Sequence, residues 1–445
     1  MRKQTVSYIS TIILIAFLLG TVIGQAANPT TTTFLEPGSL TETADFILWE
    51  DNNNVFSKDG ETGYITYLGT DIGAAINTLK DLLGNTGGTI YIKGGAYSQT
   101  ATITLDETHE NITVCGESYK TSTVFTSTAD IFAFNITGVS TSDLADHIQI
   151  KNLKLVAGVV STKAAIFLQY VGGSRFENIA IDYYGFGISG DTGVTPNTVS
   201  QCDFETITLF ECVYSGIVLQ DSYDNRLTDI RALDTQGAHG YSYAGILLIH
   251  SYGGDVLEGC LALNGDGHGI SITENSQWVM LSNCISDYNG GHNIFISESQ
   301  GTQLINCWGS TSQSANTYGL NIDGSNDTIV TNGQFRTNYS HGVYVKDSDN
   351  TQFLGILSTT NGQNETGYGM SLVNSTETVI TNAILDNRFA AGFNATSQTR
   401  GIDEDSDSDY NVIIGCNTRG LTTGIIIQGA NTKVNLCWNA SSWIS

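Results

Sequence analysis

The chain has 445 residues, with 49 glycines and only three prolines, and its 44 acidic against 18 basic side chains give a formal net charge of −26. Nucleic-acid affinity rests on neutralising phosphates with Lys and Arg, and no basic cluster interrupts this acidity, so nucleic acid is excluded as a partner. Polyanionic glycans are disfavoured by the same repulsion unless a divalent cation bridges the two surfaces.

Residues 1–26 read as a signal peptide. Arg2 and Lys3 precede a mostly apolar run from Ile9 to Ile23, and Gly24-Gln25-Ala26 offers small residues for cleavage. The run is short for a membrane span, so an extracellular or cell-surface location is expected, with an uncleaved anchor as the lesser reading. Residues 27–59 follow as a Thr-rich linker (Pro29 to Thr33) and N-terminal segment.

Residues 60–110 are expected to form a cap. Between residues 71 and 84 the apolar period becomes helical, with Ile72, Ala75, Ile76, Leu79, Leu82 and Leu83 on one face and Gly84 as a stop. Strand signals follow in Gly88-Thr-Ile-Tyr-Ile-Lys-Gly-Gly-Ala-Tyr97 and from Ala101 to Leu105. A helix laid over the end of a stack of coils would cover its apolar face. This helix, the Gly-Gly-Thr-Ile-Tyr-Ile element and the Asn111-Ile-Thr-Val-Cys-Gly turn resemble the opening of pectate-lyase-like right-handed parallel β-helix proteins. The resemblance implies that fold over about residues 60 to 435, and no particular chemistry, because lyases, hydrolases, tailspikes and adhesins share it.

Residues 111–445 carry a repeat of their own. Two or three apolar residues, then Asn, Asp or Gly, then more apolar residues recur at Asn152, Asn178, Asp229, Gly259, Asn283, Asn306 and Asn382, with weaker copies at Thr206, Asn332, Gly355 and Gly415. Asn, Asp and Gly tolerate a left-handed backbone, so each pivot predicts a corner between short strands. A period in the twenties of this kind is a solenoid signature. Before most pivots comes a Gly and an alternating strand, as in Gly269-Ile-Ser-Ile and Gly342-Val-Tyr-Val, while Asn293-Ile-Phe-Ile fills the same slot with Asn. The expected fold is therefore all-β: one right-handed parallel β-helix of about eleven coils, capped by a helix.

Register also sorts the eight cysteines. Cys260, Cys284, Cys307 and Cys416 each follow a pivot, where other coils have Leu153, Ile179 or Ile207, so they read as a buried ladder of thiols. Cys115, Cys202, Cys212 and Cys437 have no such assignment, and Cys202–Cys212 is the easiest local disulfide. Eight Asn-x-Ser/Thr sequons, at Asn111, Asn135, Asn326, Asn338, Asn364, Asn374, Asn394 and Asn439, fit a glycosylated surface protein.

Four constellations are candidates for chemistry. Gly267-His268-Gly269 resembles a polygalacturonase segment, but coil alignment puts Tyr243, Ala244 and Ser215 where that family needs carboxylates. The His268 slot continues as His292, Tyr318, His341 and Tyr368, which reads as a stacked ring ladder. Five residues after each strand-opening residue stand Asp221, His250, Glu274, Glu298, Asp347 and Asn374. Glu274 and Glu298 would be about 5 Å apart, a separation that retaining glycosidases use, and they are the candidate catalytic pair; corner residues holding a turn are the other reading. The outward positions Phe295, Asn321, Asp323, Tyr344 and Lys346 could receive a sugar ring by face contact. Asp403, Asp405, Asp407 and Asp409 alternate as the oxygen ligands of calcium loops do, without the usual Gly or distal Glu; a solvated acidic loop is the alternative to calcium.

Two functions stay open. One is a surface β-helix that binds glycans, adheres, or contributes to an envelope or matrix, with end-to-end or lateral self-association. The other is a polysaccharide lyase or glycoside hydrolase working along the Gly-initiated strands.

Overall fold

The computed structural model describes residues 44–119, 122–190, 197–236, 243–363, 366–387, 398–419, 421–439 and 442–444. The signal peptide, the Thr-rich stretch and the sequons at Asn364 and Asn394 lie outside these residues.

The helix spans Ile72–Leu83. Asp71 caps it by accepting from the Ala74 amide at 2.7 Å, and Gly84 ends it at φ 56°. Ile72, Ala75, Ile76 and Leu79 are fully buried against the first strands, whereas Leu82 is left exposed. Three strands that sequence reading did not assign precede the helix, Phe46–Asp51, Asn54–Asp59 and Ile65–Gly69. They form an antiparallel meander, and the first also pairs in parallel with Gly88–Ile92.

From there the chain winds as a right-handed β-solenoid of about twelve turns. All eleven pivots have φ between 53° and 67°; ten are Asn, Asp or Gly, the types that bear a left-handed backbone most cheaply, and Thr206 is the exception. The Asn283 amide donates to Ile305 O at 2.9 Å, and Asn306 Nδ2 donates to Asn283 Oδ1 at 3.3 Å. Equivalent residues of successive coils therefore lie on top of one another.

Strands stack into a 26-stranded sheet holding the pivots, a 13-stranded sheet built from the Gly-initiated strands, and a four-stranded sheet over the lower coils. The strand-opening glycines have a packing cause. A Cβ on Gly269 would collide with Ser286 Oγ, and one on Gly342 with Ser358 Oγ. Those hydroxyls belong to a buried polar column. Asn289 Nδ2 donates to Asn293 Oδ1 at 2.9 Å, Asn293 Nδ2 to Asn338 Oδ1 at 3.0 Å, and Asn338 Nδ2 to Asn361 Oδ1 at 3.0 Å. Asn293 replaces the usual glycine because its amide joins this column. The Asn338 sequon is consequently sealed: its side chain has no exposed surface, so glycosylation there is incompatible with the folded state.

All eight cysteines are free thiols. Cys260, Cys284 and Cys307 are buried on consecutive rungs, and Cys416 is buried in the same column above Ile356 and Ala383, as their register requires. The local pair Cys202–Cys212 does not form: the eight-residue strand Asp203–Phe210 separates the two, and at roughly 3.3 Å per residue they stand far beyond disulfide reach. Cys437 proves to be a further rung of the ladder, with the Cys416 amide donating to its Sγ at 3.3 Å. Its corner residue is Leu436, at φ 52°, which no pivot rule would select.

Candidate functional site

The outward face of the 13-stranded sheet carries the predicted binding residues in two rows. Phe295, Asn321 and Tyr344 are paired in register, with Ser271 below and Ser371 above. Asp323 and Lys346 are paired in the next row. All five predicted binding residues thus share one face, as alternation demands, but Asn321 is buried there, with only 5% of its surface exposed.

Beside the first row stands the ring ladder. His268 and His292 stack with centroids 5.0 Å apart, His292 and Tyr318 at 5.0 Å, Tyr318 and His341 at 5.2 Å, and His341 and Tyr368 at 4.6 Å. The Arg400 guanidinium closes the column 4.9 Å above Tyr368. Burial pushes His268 and His341 down to about 4 and holds His292 well below the usual imidazole range, so all three rings are neutral near pH 7. Their tautomers are fixed as well. Nδ1 of His268 accepts from the His292 amide at 2.9 Å, that of His292 from Tyr318 at 3.1 Å, and that of His341 from Tyr368 at 3.1 Å. Nε2 therefore carries the proton. The Asn321 carboxamide lies 3.0 Å from His292 Nε2, and its oxygen belongs on that side.

The ladder buttresses the outward aromatics. Phe295 leans on His268 at 4.7 Å and on His292 at 5.3 Å. Tyr344 leans on Tyr318 at 4.6 Å, leaving it half-buried rather than free in solvent. The Lys346 ammonium lies 3.1 Å from Asp347 and 3.5 Å from Asp323. Those carboxylates, Asp347 foremost, raise its basicity and occupy it.

The corner row follows the second row. Asp221, His250, Glu274, Glu298, Asp347 and Asn374 all have φ between 46° and 57°, so every member does hold a turn. Glu274 and Glu298 occupy equivalent positions on neighbouring coils, two residues past the paired Ile272 and Ile296. Both line one cleft of about 520 Å³ together with Phe295, Ser271, Leu247 and His250. The His250 ring lies between Asp221 and Glu274, 3.6 Å from a carboxylate oxygen of each. Sequence reading placed His250 in the row but not in the site; its position one rung below Glu274 was the available signal.

The Asp403–Asp409 loop behaves differently. Asp403 lies on the strand Gln398–Glu404 and bonds Arg400. Asp405 accepts from the Ser408 amide at 2.9 Å and from the Asn374 amide at 3.2 Å. Asp409 accepts from Asn431 Nδ2 at 2.7 Å, bonds that hold it below the usual carboxylate range, and Asp407 is exposed. Among the described residues no group of three or more His, Cys, Asp or Glu comes together to hold a metal ion.

The family described as a right-handed β-helix region matches residues 144–308 and 248–407. Among solved structures, the A-module of an Azotobacter vinelandii mannuronan C-5 epimerase is 16% identical over 82% of this chain and 96% of its own, with a TM-score of 0.57. Tailspike protein 3 of bacteriophage CBA120 is 14% identical over 84% of this chain and 60% of its own, TM-score 0.58. The catalytic domain of a GH87 α-1,3-glucanase bound to tetrasaccharides is 14% identical over 93% of this chain and 69% of its own, TM-score 0.54. At such identities the likeness is one of fold. No curated protein matches the sequence.

Proposed function

Because the chain belongs to the right-handed β-helix family, we propose that it is an exported or cell-surface protein that binds polysaccharide along the outward face of its 13-stranded sheet, in an adhesive or structural role. The observation that carries this reading is the row Phe295–Asn321–Tyr344, in which two ring-buttressed aromatics flank an amide beside a cleft. Aromatic faces with adjacent hydrogen-bonding groups suit the apolar face and hydroxyl rim of a pyranose. An epimerase of mannuronan and a glucanase among the structural neighbours make the ligand class reasonable by analogy of fold. Among the described residues no helix is long and apolar enough to cross a membrane.

One observation favours a second reading, catalysis: Glu274 and Glu298 stand on consecutive rungs and open into the same cleft. A glycosidase needs two carboxyl groups, one to protonate the leaving oxygen and one to attack or to activate water. Calcium at the Asp403–Asp409 loop and end-to-end or lateral association of rods remain parts of the proposal that calorimetry and light scattering address.

The test is a glycan panel with product release followed in parallel. Phe295→Ala and Tyr344→Ala should each weaken binding roughly five- to thirtyfold, by about 1–2 kcal/mol of lost ring contact. Retention of full affinity by the double variant would exclude this face. Product release abolished by Glu298→Gln would move the protein into the catalytic class.

A further inference from the structure

The cleft beside Phe295 is chemically lopsided. One side offers the ring face of Phe295, Leu247 and the Ser271 hydroxyl; the other offers the carboxylates of Glu274 and Glu298. These two sit on adjacent rungs, about 4.8 Å apart along the stack, so a single cation between them meets both. Glu274 is shared with His250 at 3.6 Å, behind which lies Asp221. The Glu298 carboxylate has no side-chain partner among the described residues.

The cations of this sheet face are already committed. Lys346 is held between Asp323 and Asp347, and Arg400 is bonded to Asp403. A uronate or a sulfated sugar placed in the cleft would face two carboxylates with no free Lys or Arg beside them. A neutral sugar would gain the ring contact and leave Glu298 to water. A hexosamine with a free amine supplies a positive charge and three N–H donors to the side of the cleft that lacks both.

We infer that the cleft selects a glycan bearing free protonated amines, a de-N-acetylated hexosamine polymer whose pyranose face lies on Phe295 and whose ammonium sits between Glu274 and Glu298. The inference rests on the glycan-binding reading and narrows it to a substrate class. Residue types along the corner row agree. Outside the carboxylate pair the row is Asp221, His250, Gly324, Asp347 and Asn374, types that accept a positive φ readily; at the pair stand Glu274 and Glu298, with φ of 57° and 49°, a type that accepts it less readily. A hexose repeat is about as long as one rung, so a chain laid parallel to the stack keeps step with it and meets Asp347 further along.

Isothermal titration of the full chain with tetramers of glucosamine, N-acetylglucosamine and galacturonate, at about pH 6 and about pH 9, tests this on either side of amine deprotonation. At the lower pH the glucosamine tetramer should bind roughly tenfold tighter than its N-acetyl counterpart, the equivalent of two half-exposed ion pairs. The preference should vanish at the higher pH, and galacturonate should not bind. Glu298→Gln should remove the preference at the lower pH while Phe295→Ala weakens both hexosamines. Glu377→Gln, which neutralises an exposed carboxylate on a distant rung, should change neither and so separates site binding from general attraction to an acidic rod. Equal affinity for the two hexosamines, or an equal loss in Glu377→Gln, overturns the inference while glycan binding stands. No binding by any tetramer overturns both.

Discussion

The lower and upper coils solve the same packing problem with different chemistry. Between residues 149 and 233 the column behind the pivots is Leu153, Ile179, Ile207 and Ile230, and the core beside it holds the stacked pair Phe176 and Phe204, 5.0 Å apart. Above residue 260 the same column narrows to Cys260, Cys284 and Cys307, and the interior fills with the Asn289–Asn293–Asn338–Asn361 column and a set of buried serines. Apolar columns need only matching volume. Polar columns require each rung to satisfy its neighbours, so one missing member orphans groups on both sides. The apolar column of the lower coils should therefore tolerate substitution better than the polar column above, although the lower coils also bury the hydrogen-bonded Asn197 and Asn225.

The largest expected difference is in acid. His268 and His341 are pushed by burial to about 4 from a usual value of 6.5. The unfolded chain binds protons that the folded chain refuses between these values, so their contribution is fully present above about pH 6.5 and is lost as pH falls toward 4. Each ring accounts for up to about 3 kcal/mol over that window. The lower coils carry Phe186, Tyr214 and Tyr243 in the matching region, without a histidine. Hydrogen exchange at about pH 5 should show the upper coils opening first, and His268→Phe with His341→Phe should flatten the pH dependence. Uniform opening of both halves would dissolve the distinction.

Next in size is Asn338→Ala. Asn338 Oδ1 accepts from Ser312 N at 3.1 Å and from Asn293 Nδ2 at 3.0 Å, and its own amide reaches Asn361. Its removal strands at least two buried donors, for a loss of about 3 kcal/mol. Ile207→Val in the lower column should cost about 1 kcal/mol. Denaturant titration of the two variants measures the contrast directly, and equal losses would mean that the polar column adds no cooperativity.

These contrasts mark what could be read in advance. Pivots, register, the ring ladder and four cysteine rungs were legible because each is a residue type repeated at a fixed offset with a single backbone or packing cause. The interior asparagines were not, since Asn is equally at home in a corner, and Asn338-Tyr339-Ser340 also spells a sequon. Cys202 and Cys212 looked like partners because sequence proximity says nothing about the strand between them. The cleft was half legible. The Glu274 and Glu298 corner row came from spacing, but the convergence of His250, Leu247 and Phe295 on it depends on three neighbouring coils at once. Thiol titration checks the ladder itself: without reductant, unfolding should expose eight reactive thiols, matching the eight free cysteines, whereas the native protein should offer at most the half-buried Cys115.

The smallest effect concerns a corner of the last coil that breaks the pivot rule. Leu436 holds φ 52° with 60% of its surface exposed, where the coils below have Gly415 and Asn382. A left-handed leucine costs roughly 1 kcal/mol relative to residues suited to that region, and nothing in its exposed side chain offsets the cost. Leu436→Asn should therefore stabilise the final coil, and Asn is preferable to Gly because it does not loosen the unfolded chain. In a solenoid, stability is passed between nearest neighbours, so the gain should appear as slower exchange of the Trp438 amide, which donates to Cys416 O in the coil below, and of the Cys416 amide, which donates to Cys437 Sγ, and not as a rise in global midpoint. A global shift without local protection would mean that the terminal coil unfolds together with the whole stack, and the division into separately stable halves would then fail from the top down.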